Sequence, residues 1–414
     1  MRQTRLIRPD YARRFTCIGP ACEDSCCAGW SVSIDEAAHR KYTSLPPGSL
    51  RSLMDASILP MADDSGKTDA SPFATIRMLP SGDCPFLSPE RLCRIQVEHG
   101  EPYLSRTCAT FPRINHSIDS LKETELSLSC PEAARLVLLE PHLLPPPGTP
   151  GYRRTWDETA TSQVPLRAHF WQIREFVLAL IQNRAYPLWQ RLFLLGTFSR
   201  RLDALVRGEI KRSFPALLDD FSQAVASHGL CAAMDSIPAD LPLQLAILIR
   251  LIAQRVNKAP ISARLHEVLD LFAQGVGHSG TASIASQAAN YADAYAQFYA
   301  PFFHRHPYIL ENYLINAALR GLFPFGQDLY DPQATPQPAR AFAMLAIKFA
   351  LIQGVMIGVA GARRQDFCAA DVVQTVQTVF KYFEHNEPFL LGAHAMLAAK
   401  GLDNAHGLTM LLRN

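Results

Sequence analysis

The sequence predicts a mainly α-helical protein: a large helical body that carries a small cysteine-rich metal-binding module with short β-strands. Three observations predict it. Apolar residues recur at three- and four-residue spacing along most of the chain beyond residue 166. Eight of the ten cysteines fall between residues 17 and 130. A proline-dense stretch, "EPHLLPPPGTPGYRR" at 140–154, stands between the two regimes. The expected division is therefore a module over 1–139, a linker or crossing over 140–165 and a helical domain over 166–414. Hydrophobic residues make up 48% and charged residues 19%, a globular balance. The net charge of +2 offers no electrostatic case for nucleic acid as a partner.

The elements follow in order. "MRQTRLIRPDYARRFTC" has five arginines and no apolar core, which argues against a secretory signal and for a cytoplasmic protein. Cys17, Cys22, Cys26 and Cys27 form the group C-x4-C-x3-C-C. "WSVSI" at 30–34 alternates as a strand does, and "DEAAHRKYTSL" reads as a helix opened by acidic residues. A polar loop at 64–72 precedes a second cysteine group, Cys84, Cys93 and Cys108, spaced C-x8-C-x14-C. "TELSLS" at 124–129 alternates again, and Cys130 stands before Pro131 and Glu132, at a helix start. The field of that helix would favour a ligand or a low-pKa thiol at Cys130.

Beyond the linker, Leu188, Leu192, Leu195, Phe198, Leu202 and Leu205 make one apolar helix face. Similar spacing runs through 166–182, 241–256, 262–273, 288–299, 308–322, 339–360, 369–385 and 388–400. The stretch 341–360 is long and apolar enough for a membrane span, but Lys348 near its centre would cost about 2.5–3.5 kcal/mol there. A buried core helix and no membrane association are expected. "GVGHSG" at 275–280 fails the strand–turn–helix test for a dinucleotide site and reads as a helix end and loop. "IQGVMIGVAGARR" reads as a closely packed helix.

Dense cysteines in a reducing compartment point to ligands more than to disulfides. Two groups split by a long loop can close one site between them. An all-thiolate set suits zinc or iron–sulfur, and spacing alone does not separate the two. The first group lacks the C-x3-C-x2-C triplet of radical S-adenosylmethionine enzymes. Cys231 and Cys368 read as small buried hydrophobes. A redox pair of the adjacent Cys26 and Cys27 would need a strained ring.

The cysteine frame, with "CPFLSPERLCRIQ", "LSRTCATFPR" and "ENYLINAALRGLFPF" at 311–325, resembles the flagellin lysine-N-methylase family, which contains a cysteine-rich zinc- or iron-chelating segment. The resemblance covers about residues 8–135 and 300–330. It implies a cytoplasmic enzyme that methylates lysine side chains of flagellin with S-adenosylmethionine as donor. It also implies a cysteine-bound metal centre, a 4Fe–4S cluster in preference to zinc. Its ligands would come from Cys17, Cys22, Cys26, Cys27, Cys84, Cys93, Cys108 and Cys130. A single cubane takes four, so the others would be structural or serve a second metal. The rival reading is a non-enzymatic iron–sulfur or zinc carrier or sensor.

No donor-site motif is visible. In the 311–325 segment the functional reading puts Tyr313 or Glu311 at the target amine, with Arg320 and Asn312 toward the donor and Arg320 on its carboxylate. The bland reading makes Glu311 and Asn312 helix caps and Tyr313 core. Arg113 either steadies an anionic cluster or donor, or is solvated. Five tyrosines and three phenylalanines at 286–314 either guide a lysine side chain or pack.

Overall fold

The computed structural model describes residues 5–7, 9–28, 32–61, 73–119, 121–145, 166–257, 261–279, 281–331, 333–384 and 386–414. Trp30 and Ser31 of the first expected strand, the 64–72 loop and most of the 140–165 linker lie outside them.

The protein is mainly α-helical, with two small three-stranded sheets near the N-terminus. In the first sheet β1 (Arg5–Ile7) runs parallel to β6 (Leu121–Leu126), and β5 (Arg113–Ile118) pairs antiparallel with β6. Ile118 faces Leu121 across the hairpin, and Asp119 turns it at φ 53°. The second sheet is antiparallel, in the order β2 (Ser33–Ile34), β4 (Ala74–Ile76), β3 (Ile58–Pro60). Its buried Ile34, Ile58, Ala74 and Ile76 meet Tyr42, Met54, Phe86 and Ile95 in a small core of its own. Tyr11, Phe15, Leu126 and Val137 pack instead into the large core of the helical body.

β6 departs from the expected alternation. It begins before Thr124, and Glu123 and Glu125 are both buried rather than turned to solvent. Each has a partner that offsets the cost: Arg174 lies 2.7 Å from Glu123, and the Tyr11 hydroxyl donates to Glu125.

The helix Pro338–Arg363 is the centre of the body. By length and composition it could cross a membrane, yet 83% of its most apolar stretch is buried inside the protein. The Ala263–Val276 helix crosses it at very short range. A Cβ on Gly275 would lie 1.8 Å from the Gly358 carbonyl oxygen, and one on Gly358 would lie 2.5 Å from the Phe272 ring. The glycines of "GVGHSG" thus serve a helix crossing and a helix end, where Gly277 adopts φ 65°. The tyrosine-rich segment packs: Tyr291, Tyr299 and Tyr313 are buried, and Tyr299 stands 4.5 Å from Phe303. Two π turns interrupt the helices, at Tyr295–Tyr299 and Phe380–Glu384.

Candidate functional site

Local turns bring cysteines of the two groups together. Cys84 N–H donates to the Cys27 carbonyl at 2.7 Å, so the two chain segments run side by side. Between Cys84 and Cys93 the chain doubles back through a turn with Arg91 at φ 63°, and Leu87 bridges to Cys93. Cys93 then opens the helix Arg94–His99. Asp35 caps the helix Glu36–Thr43 through Ala38 N–H at 3.0 Å and accepts from Arg106 N–H at 2.7 Å. It thereby fixes the start of the helix that carries Cys108.

The result is a cavity of about 70 Å³ lined by Cys26, Cys27, Cys84, Cys93 and Cys108. Its remaining wall is largely apolar, with Val32, Ile34, Phe86 and Leu104. That volume exceeds several times the minimum for one water. Cys26 lies at the rim, exposed, and Cys84 is buried. The single S–H of Cys27 is shared between Cys26 and Cys93. It draws Cys26 down to about 7, with help from the nearby Lys381 charge. It draws Cys93 down to about 6, helped by the N–H groups of Gln96 and Ile95 at the helix start. Cys27 itself is pushed well up by the same contacts. Burial pushes Cys84 up to about 11 and Cys108 up to about 12.

Cys17, Cys22 and Cys130 gather beside this cavity. Burial raises Cys22, and charge on Cys17 adds to the effect; charge on Cys22 in turn raises Cys130. Cys130 caps the Pro131–Leu138 helix as expected, but its pKa is not lowered. Burial outweighs the N–H groups of Ala133 and Glu132 and pushes it up to about 12. Cys368 is also not a buried hydrophobe: it is exposed and caps the Ala369–Val379 helix, and Cys231 is only half-buried. All ten cysteines are free thiols.

Among the described residues no three His, Cys, Asp or Glu side chains already surround one point as metal ligands. The donor set around the cavity is nevertheless sulfur alone, with two thiols inclined to ionise, and this chemistry fits iron–sulfur or zinc.

The π turn Phe380–Glu384 faces this region and a second one. Lys381 Nζ donates to Asp24 Oδ2 and to the Ser25 carbonyl, both at 2.9 Å, and so holds the chain between Cys22 and Cys26. Glu384 accepts from the Tyr313 hydroxyl at 2.5 Å and from Arg320 at 2.8 Å, and Lys348 lies 3.9 Å away. Tyr313 and Arg320, both singled out in the sequence, therefore meet through a glutamate that was not.

Residues 174–411 match the family described as the FliB lysine N-methylase C-terminal domain. The chain belongs to this family. Proteins named "Lysine-N-methylase" from Salmonella typhimurium and Salmonella choleraesuis are each 28% identical to it over 238 residues. Each of these matches covers 56% of this chain and 57% of the relative, so little more than half of each relative's length is matched. A protein named "Flagellar biosynthetic protein FliU" from Salmonella muenchen is 34% identical over 143 residues, 34% of this chain and 81% of that protein. No solved structure matches the chain.

The match to the lysine N-methylase domain contains Tyr313, Arg320, Lys348, Lys381 and Glu384, and none of the eight clustered cysteines. It also contains Glu311, which is buried and accepts from Arg184 at 2.9 and 3.0 Å and from Arg191 at 2.9 Å. Asn312 donates to the carbonyls of Val137, Leu138 and Glu140 at 2.7–3.3 Å and so caps the Pro131–Leu138 helix at its C-terminal end. Outside the match, Arg113 donates to the Phe15 carbonyl at 3.0 Å and lies 4.9 Å over the Phe15 ring, two residues before Cys17. Of the residues that sequence reasoning missed, Lys348 carried a signal, a lone charge in an apolar helix. Glu384 and Lys381 carried none, because their partners are distant in sequence.

Proposed function

We propose that the protein transfers methyl groups from S-adenosylmethionine to lysine side chains of flagellin, in the cytoplasm, and carries a 4Fe–4S cluster at the cysteine cavity. The observation that carries this reading is the match of the helical body to the lysine N-methylase domain. The convergence of five thiols on one cavity supports the metal part.

Cys26 and Cys93, the thiols drawn down, would hold the cluster first, with the remaining ligands from Cys27, Cys84 and Cys108. Such a cluster supplies one-electron redox chemistry and a Lewis-acidic iron. The apolar wall shields the deeper sulfurs, Cys84 above all, while Cys26 at the rim stays exposed. Lys381 fixes the Cys22–Cys26 loop from the helical body, so the two regions share one geometry. In the transfer the lysine ammonium first loses a proton to solvent; the donor's carbon–sulfur bond then breaks as a carbon–nitrogen bond forms, and S-adenosylhomocysteine leaves. The contribution expected of the chain is orientation. Tyr313, Glu384 and Arg320, joined by hydrogen bonds, would supply the rigidity this needs.

The test is anaerobically purified full-length protein incubated with S-adenosylmethionine and flagellin, read by intact mass. Increments of whole methyl groups on flagellin are expected, with iron bound to the protein. Iron-loaded protein that leaves flagellin mass unchanged overturns the enzyme reading.

A further inference from the structure

Lys348 is the only charged residue between 341 and 360, on the helix at the centre of the core. Its single charged neighbour of opposite sign among the described residues is Glu384, at 3.9 Å, and it makes no hydrogen bond to them. Arg320 donates through one terminal nitrogen to the same carboxylate at 2.8 Å. Its Nε is buried and has no partner among the described residues. The guanidinium face is covered by the Phe380 ring at 4.5 Å. Tyr313, fully buried and far from ionising, adds a hydroxyl and no charge.

The cluster therefore holds two cations and one carboxylate. Glu384 is 1% exposed and already receives Tyr313, Arg320 and the charge of Lys348. A surplus positive charge with unused N–H donors is costly in a core, and arginine does not lose its proton. Burial lowers the pKa of Lys348; the charge of Glu384 opposes the shift and that of Arg320 adds to it. The Arg320 and Lys348 side chains keep 14% and 22% exposure, so the cluster is not sealed from solvent. One monoanionic group balances the charge, whereas a phosphate dianion overshoots it.

We propose that Arg320 and Lys348 form a binding site for a carboxylate, the α-carboxylate of an amino-acid-bearing ligand, with Glu384 holding both cations in place. Its identification with the amino-acid end of the methyl donor rests on the methyl-transfer reading. The carboxylate site itself rests on the charge and geometry alone.

Calorimetry on the full-length protein tests this with two unreactive probes. S-adenosylhomocysteine carries the amino-acid end, and 5′-methylthioadenosine lacks it. The parent should bind the first at least about tenfold tighter, the effect of one charge-assisted contact. Lys348→Met should abolish that preference and leave methylthioadenosine binding unchanged, while Lys348→Arg should keep it. An unchanged thermal melt for Lys348→Met shows that folding is not the cause. A Lys348→Met protein that retains the preference overturns the site. If the parent binds neither nucleoside, L-methionine and acetate are titrated. Binding that depends on Lys348 keeps the carboxylate site and removes the donor; no binding at all leaves only water there and overturns the proposal. Flagellin methylation is scored separately. Methylation with an unaltered Lys348→Met fails the site alone, and Lys348-dependent carboxylate binding without methylation fails the enzyme reading alone.

Discussion

Lys381 Nζ stands 2.9 Å from Asp24 Oδ2 and joins residues 357 positions apart. Both side chains are nearly out of solvent, at 4% and 11% exposure, and Gln377 donates to the same oxygen at 2.8 Å. Lys381→Met strands a buried carboxylate, which typically costs about 3–5 kcal/mol. The expected result is a lower urea midpoint and a lower iron content together. Asp24→Asn combined with Lys381→Met should cost less than the sum of the two single changes; additive losses would show that the pair is not coupled.

Glu311 ties its helix to Arg191 of the Leu188–Val206 helix and to Arg184 in the turn before that helix, and Arg191 is only 7% exposed. Glu311→Gln keeps the shape and removes the charge, so Arg191 is left buried and uncompensated. A loss of about 3 kcal/mol in equilibrium unfolding is expected, almost all of it from Arg191, because Arg184 is 49% exposed and water screens it. A Glu311→Gln protein as stable as the parent would refute this account of the network.

In the metal-free protein the thiols should titrate in two classes. Cys93 and Cys26, drawn down by Cys27, should be alkylated near neutral pH, while Cys108 and Cys130 stay protonated. The lowered pair favours the folded state fully above the unfolded thiol value. That contribution is lost as pH falls through about 7 and 6. The raised pair acts oppositely: its contribution is present below the unfolded value and is lost as pH rises toward about 12. Peptide mapping after timed alkylation across the pH range reads both classes. Cys27→Ala should shift the reactive pair to higher pH, and unchanged rates would count against the Cys27 hydrogen bonds.

The crossing of the Ala263–Val276 and Pro338–Arg363 helices should not tolerate a methyl group. Gly275→Ala places a carbon 1.8 Å from a backbone oxygen, so the helices must separate. A cost at or above the usual overpacking range of about 1–3 kcal/mol is expected. Gly392 lies in a helix with nothing within 4 Å of its Cβ position. Gly392→Ala should instead stabilise by about 0.5–1 kcal/mol. Thermal melts of the two variants that move in the same direction would contradict the crossing.

The helical body was legible where one face of a helix stayed apolar. Leu241–Val256 has the expected bounds, and Pro338–Arg363 is the buried helix that its apolar length and central lysine implied. Phe214–Ala226 was not singled out, although its apolar residues are helically spaced. The strand at 124–129 was misplaced because alternation implies one wet face, and here tertiary partners bury both glutamates. The cysteine cavity was legible as a gathering of thiols. Its internal order was not, because burial sets the pKa values of Cys108 and Cys130, and burial is a property of the assembled fold. Glu384 and Lys381 were invisible for a related reason: a π turn leaves no periodic trace, and their partners lie far off along the chain.

The π turn at Phe380–Glu384 has a consequence for register. Such a turn takes up one more residue than the α-helical path, so residues beyond it are rotated by about 100°. Deleting one residue there would let the Ala369–Val379 helix continue as a regular one. Helix content would scarcely change, and a far-ultraviolet spectrum would report an intact protein. Lys381 and Glu384 could then no longer face Asp24 and Tyr313 together. The two regions that meet at this turn would be uncoupled by a shift in phase alone, with every chemical group still present.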